Sequence, residues 1–177
     1  FPILNLSYNN MDDSSNICLS CGLCCDGTLI GFVQLEQKEV PALREIMEIE
    51  EENNENIFLL PCDKYCNGCT IYAKRPGNCI KFKCGLLKNF EQKKLTFDSA
   101  INTIELAKEK KSVIEEQITS LNLNLRSQSF YFKIIELNKI LQTPEFDSYL
   151  TAENQDIIKN IRELRELVIE KFDLSFS

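Results

Sequence analysis

Histidine and tryptophan are absent from all 177 residues. Without imidazole, the commonest general base and the commonest nitrogen ligand for metals are both missing. A general base would have to be Asp, Glu, Lys, Tyr or Cys, and a metal would have to be held by sulfur or oxygen. No apolar run approaches the roughly 20 residues that cross a bilayer, so no membrane-spanning helix is expected. Phe1–Met11 carries no charged side chain and is interrupted by polar residues. It has neither the basic nor the apolar stretch of a secretory signal and is not expected to be an intact one. No Gly-rich phosphate loop of the GxGxxG or Walker type occurs. The net charge of −7, with a pI of about 4.8, argues against a long electrostatic footprint for nucleic acid.

The absences also divide the chain. Beyond residue 95 there is no cysteine and no glycine, and Pro144 is the one proline of five. All nine cysteines lie between Cys18 and Cys84. Residues 1–56 carry 2 basic and 11 acidic side chains, residues 57–95 carry 8 and 2, and residues 96–177 carry 10 and 14. The middle block, net +6, stands apart from its acidic flanks. Punctuated loops therefore give way to helix. Two regions are expected: a cysteine-cluster domain over 1–95 and a helical region over 96–177 packing on it.

The fold class implied is α+β: a small, irregular, cysteine-rich domain with short strands and one helix, followed by three helices. Residues 28–35 are apolar and β-branched enough for a strand. Residues 36–52 read as a helix, with Val40, Leu43, Ile46 and Met47 on one face and Pro41 in the first turn. The acidic run 48–56 reads as a solvated helix end and loop. Residues 57–60 and 69–72 read as short strands, and 75–78 as a turn. The later helices are expected at about 97–120, capped by Thr96, at 129–141, ending before Pro144, and at 151–172. The last carries Ile157, Ile161, Leu164, Val168 and Phe172 as an apolar stripe. Such stripes are expected to pack against one another and the cysteine domain.

The first cysteine group, Cys18-Leu-Ser-Cys21-Gly-Leu-Cys24-Cys25, has the spacing C-x2-C-x2-C-C. This pitch lets one turn of loop aim several thiolates at a point, and Gly22 relieves the tight wrap. It resembles the three-cysteine run of bacterial ferredoxins, without the following x3-Cys-Pro. In an extended segment Cys24 and Cys25 would face opposite sides. That favours two sites, or one site plus a buried or reactive thiol. The second group comprises Cys62, Cys66, Cys69, Cys79 and Cys84. Nine thiols supply two four-ligand sites with one left over; an all-disulfide framework would also leave one. Lys64, Lys74, Arg75, Lys81 and Lys83 could offset the charge of a thiolate-bound metal and lower thiol pKa values, or form a solvated face.

These residues resemble the CxxCxxCC cysteine-cluster family (YkgJ-type), described as a zinc- or iron-chelating domain. Cys18, Cys21, Cys24 and Cys25 match its first motif. Cys69, Ile71, Tyr72, Arg75, Pro76, Cys79, Phe82 and Cys84 match its second, and Cys62 after Leu60-Pro61 matches its upstream cysteine. Cys66 is an addition to the pattern and a ninth candidate ligand. The resemblance covers about residues 16–87.

Metal binding through Cys18, Cys21, Cys24, Cys25, Cys62, Cys69, Cys79 and Cys84 is the expectation. An iron–sulfur cluster would take three thiolates from the first loop and one from elsewhere, Cys79 or Cys84. Zinc would favour paired C-x2-C knuckles, such as Cys18/Cys21 with Cys66/Cys69. The iron–sulfur reading is preferred, with an electron-transfer or partner-serving role, a protein partner and a cytoplasmic, reducing location. A purely structural metal is the plainer reading, since a domain this small needs a staple. A metal-dependent protein-modifying enzyme is a third, with Asp26 as its best-placed carboxylate. A nucleic-acid module using the basic block with Tyr65, Tyr72 and Phe82 is opposed by the overall acidity.

Overall fold

A computed structural model of the chain describes residues 14–142 and 152–176. The opening segment Phe1–Met11, Pro144 and Thr151 lie outside the described residues. In chain order the elements are α1 (Ser14–Cys21), β1 (Phe32–Gln34), α2 (Val40–Leu43), β2 (Glu50–Glu52), β3 (Glu55–Leu59), a 3₁₀ turn (Tyr72–Lys74), α3 (Gly77–Lys81) and α4 (Gly85–Glu91). Then come α5 (Phe97–Ser120), α6 (Phe130–Leu141) and α7 (Ala152–Leu167), the last running on into a π turn (Val168–Phe172). The fold class is α+β, with one small antiparallel sheet of order β1-β3-β2.

The helical half follows its sequence signals. Thr96 caps α5, its hydroxyl accepting from Ser99 N–H at 3.2 Å, and Ser129 caps α6 by accepting from Phe132 N–H at 3.3 Å. On α5 the buried face is Ala100, Ile104, Ala107, Ile114 and Ile118. Ile157, Ile161, Leu164, Val168 and Phe172 are all buried, so the stripe continues unbroken through the π turn. Helix α7 packs on α5. Lys110 Nζ meets Glu163 Oε2 at 2.7 Å, and Asn160 Nδ2 donates to Gln117 Oε1 at 3.0 Å across that seam.

The cysteine half departs from expectation in three places. The helix expected over 36–52 is a single turn, α2, with Pro41 at its start, and the acidic run forms β2 instead of a helix end. The cause is the turn Asn53-Asn54, both with positive φ (50° and 65°). Asparagine tolerates that left-handed region, and two such residues in succession join right-twisted strands. Val40, Leu43 and Met47 are buried as expected, but Ile46 is exposed. Residues 69–72 do not form a strand: Cys69 makes an isolated bridge to Tyr65 and the chain then coils into the 3₁₀ turn. Finally, α1, α3 and α4 join α2, so this half has four short helices among its described residues where one was expected.

Two apolar clusters organise the molecule. The larger joins Ile17, Leu23, Leu29, Leu86 and Leu87 to the buried faces of α5, α6 and α7, and thus crosses residue 95. The smaller comprises Leu35, Val40, Leu43, Met47, Phe58 and Leu60 under the sheet.

Candidate metal centre

The first cysteine loop begins inside α1 and leaves it at Gly22. That residue has φ +68°, and a Cβ there would collide with the Tyr65 ring from the second cysteine group. Glycine thus permits both the turn and the approach of the two groups. Four backbone hydrogen bonds wind the loop: Gly22 N–H to Cys18 O, Asp26 N–H to Gly22 O, Gly27 N–H to Cys24 O and Thr28 N–H to Leu23 O. The second group is fastened to it by Cys62 N–H donating to Cys25 O at 2.8 Å. The turn expected at 75–78 is instead extended Arg75-Pro76 leading into α3, and this segment docks beside α2 and β1. Gly77 N–H donates to Glu39 Oε1 at 2.7 Å, and Asn78 Nδ2 to Gln34 O at 2.7 Å.

These connections surround a cavity of about 300 Å³. Eight cysteines line it: Cys18, Cys21, Cys24, Cys25, Cys62, Cys69, Cys79 and Cys84. The ninth, Cys66, is exposed and does not line it. Of the pair Cys66 and Cys69, only Cys69 lines the cavity with Cys18 and Cys21. All nine thiols are free. Among the described residues, no three Cys, Asp or Glu side chains already stand as a set able to hold a metal ion.

The eight divide into two neighbourhoods. Cys21, Cys24 and Cys84 pack against the larger apolar cluster, whereas Cys62 and Cys79 pack against the smaller. Electrostatic influence runs mostly within these neighbourhoods, but Cys25 also acts on Cys24 and Cys18 on Cys25. Burial pushes the Cys21 thiol up to about 12, with Cys84 and Cys18 adding to the rise. Cys24 keeps a little exposed surface, yet burial drives it well above the ordinary thiol value, followed by repulsion from Cys21 and Cys84. Burial also raises Cys18, the most open of the four, with Cys84 as its nearest charged influence. Cys84 is raised by burial, while the N–H groups of Leu87 and Leu86 at the start of α4 pull the other way. On the other side, burial raises Cys25 to about 11 and Cys79 to about 12. Cys69 and Cys62 act on Cys25, and Cys25, Cys62 and Cys69 act on Cys79. Adjacent Cys24 and Cys25 lie in a turn and not a strand.

Three features near the cavity were not visible in local sequence. Asp26 is fully engaged: Oδ1 accepts from Thr28 N–H (2.9 Å) and Thr28 Oγ1 (2.6 Å), and Oδ2 pairs with Lys111 on α5 at 3.0 Å. It holds the loop to a helix 85 residues away in sequence, a positional job and not that of a free base. Glu39, 38 residues from Gly77, anchors the Arg-Pro turn. The basic block proves heterogeneous. Lys81 pairs with Glu36, Lys83 with Glu91 at 2.8 Å and Lys64 with Asp63 at 3.3 Å, so these cations are matched by local acids. Arg75 alone of the five lines the cavity.

No family model, curated protein or solved structure matches this chain. No helix among the described residues is long and apolar enough to cross a membrane.

Proposed function

We propose that this chain is a metal-binding cysteine-cluster protein of the CxxCxxCC type, carrying iron–sulfur and serving a protein partner, with electron transfer as its role. The observation that carries the reading is the convergence of eight thiols, from both motifs, on one cavity from which the ninth is excluded. The donor set fits such a group. It is all sulfur, its eight members suffice for two sets of four, and C-x2-C-x2-C draws three members from one loop, as thiolate-bound clusters do. Cys18, Cys21, Cys24 and Cys84 would hold one centre; Cys25, Cys62, Cys69 and Cys79 would hold a second. Bound iron–sulfur would supply a reversible one-electron couple. The chain's own contribution is to gather the sulfurs, shield them with Leu23, Leu29 and Leu86, and direct N–H groups at Cys84. Leu19, Phe32 and Phe82 line the cavity yet remain 37%, 48% and 38% exposed, an apolar rim suited to a partner surface. Nine free thiols suit a reducing compartment, and we assign the protein to the cytoplasm.

Zinc is the second reading, because an all-thiolate set of four is equally its structural site. Anaerobic purification with metal and sulfide analysis, optical and EPR spectra separates the two. Iron with acid-labile sulfide and a reducible visible chromophore is the expected result. Cys66→Ser should leave the metal content unchanged, whereas Cys69→Ser should lower it. A colourless protein with stoichiometric zinc would replace iron–sulfur by zinc, and a protein that retains neither metal would overturn metal binding altogether.

A further inference from the structure

Arg75 has an unusual position. Its Nε is buried and has no hydrogen-bond partner. Its guanidinium carbon stacks 3.8 Å above the centroid of Tyr72, which turns one face of the fork to an aromatic ring, and no carboxylate pairs with it among the described residues. The side chain lines the cavity. Its charge acts on Cys18 and on Cys79, opposing the rise that burial gives each thiol. The backbone around it is held firmly. Pro76 is buried and restricts the preceding residue, and Gly77 N–H is tied to Glu39. A half-buried cation with no carboxylate partner among the described residues is a cost to the fold, because desolvating an unpaired charge is unfavourable. The neighbouring lysines avoid that cost by pairing with acids, as Lys81 does with Glu36 and Lys83 with Glu91.

We propose that Arg75 is the internal counter-charge for the metal centres, a positioning residue whose missing anion is the thiolate-bound metal itself. Four thiolates around a divalent ion carry two net negative charges, and a dry site exposes them to little solvent screening. One guanidinium beside such a site offsets part of that charge. This inference rests on the metal-binding reading and adds a role for one residue outside the ligand set.

The full reduced chain, freed of metal, is titrated anaerobically with Co²⁺, whose visible thiolate bands report both stoichiometry and affinity. Arg75→Gln should keep the wild-type stoichiometry and lose roughly 10–100-fold in affinity, the usual effect of removing a group that supports metal ligands. Arg75→Lys, which keeps the charge, should recover most of that loss. The melting temperature of metal-free Arg75→Gln should equal or exceed that of the wild type, since a half-buried cation unmatched among the described residues has been removed. Equal Co²⁺ affinity in wild type and Arg75→Gln would overturn the proposal. So would a metal-free melting temperature that falls along with affinity and is not restored by Lys, because that describes a structural stack on Tyr72. A wild-type chain that takes up no Co²⁺ would overturn the metal reading, and this inference with it.

Discussion

At the scale of single residues, the thiols carry both the legible and the illegible parts of the site. The ligand candidates could be read from spacing, because C-x2-C-x2-C-C and the downstream Cys69–Cys84 run leave few other uses for so many sulfurs. Their grouping could not. Cys84 comes to pack on the same core as Cys21 and Cys24 only because the chain returns at α4 to the core beneath α1, a contact that no local pattern encodes. Burial gives these groups a measurable pH dependence. In the folded, metal-free chain Cys21 and Cys79 sit at about 12 and Cys25 at about 11, against 9.0 for an ordinary thiol. Below pH 9 the thiols are protonated whether the chain is folded or not, so they leave stability unchanged. Above it the unfolded chain gives up its protons first and is favoured. Denaturant midpoints of the reduced, metal-free protein should therefore fall as pH rises from about 9 towards 11. A midpoint that holds steady or rises over that interval would mean that the sulfurs are not enclosed as described.

Elements were legible where a periodic stripe met a capping residue. Helix α5 has Thr96 before it and an apolar face along its length, and both signals survive into the fold. The acidic stretch 48–56 misled because its Glu run matches a solvated helix end, whereas the decisive feature is a pair of asparagines able to take positive φ. With the turn in place, Ile57 and Phe58 bury at 3% exposure each and bring β2 into register beside β3. The joint between the cysteine loop and α5 was equally hidden. Asp26 and Lys111 are 23% and 17% exposed at the side chain, and the Lys111 ammonium also lies 5.8 Å from the Phe130 ring centroid. Asp26→Ala should remove the Thr28 turn bonds and strand a half-enclosed ammonium. A destabilisation of about 2 kcal/mol is expected by chemical denaturation. Lys111→Met should cost less, because it leaves no unmatched cation and its stem can still cover Phe130. The reverse order would show that Asp26 is not the hinge of this joint.

For the whole molecule, the composition break near residue 95 marks a change of secondary structure and not a break in the core. Ile17, Leu23, Leu29, Leu86 and Leu87 are buried with Ile104, Leu137, Leu164 and Phe172 in one cluster, and Cys21, Cys24 and Cys84 lean on that same cluster. Gly85, next to Cys84, lies against the π turn so closely that a Cβ would meet Asp173 and the backbone of Phe172. The sulfurs and the long helices are therefore coupled through shared packing. A ligand that binds only the folded chain stabilises everything that must be folded for binding. Far-UV circular dichroism reads mainly α5, α6 and α7, none of which carries a cysteine. If the core is continuous, loading the thiols with metal should raise the melting temperature of that helical signal, in one transition shared with the metal chromophore. If the halves were only tethered, the helices would melt at the same temperature with and without metal, and a second transition would follow the thiols alone.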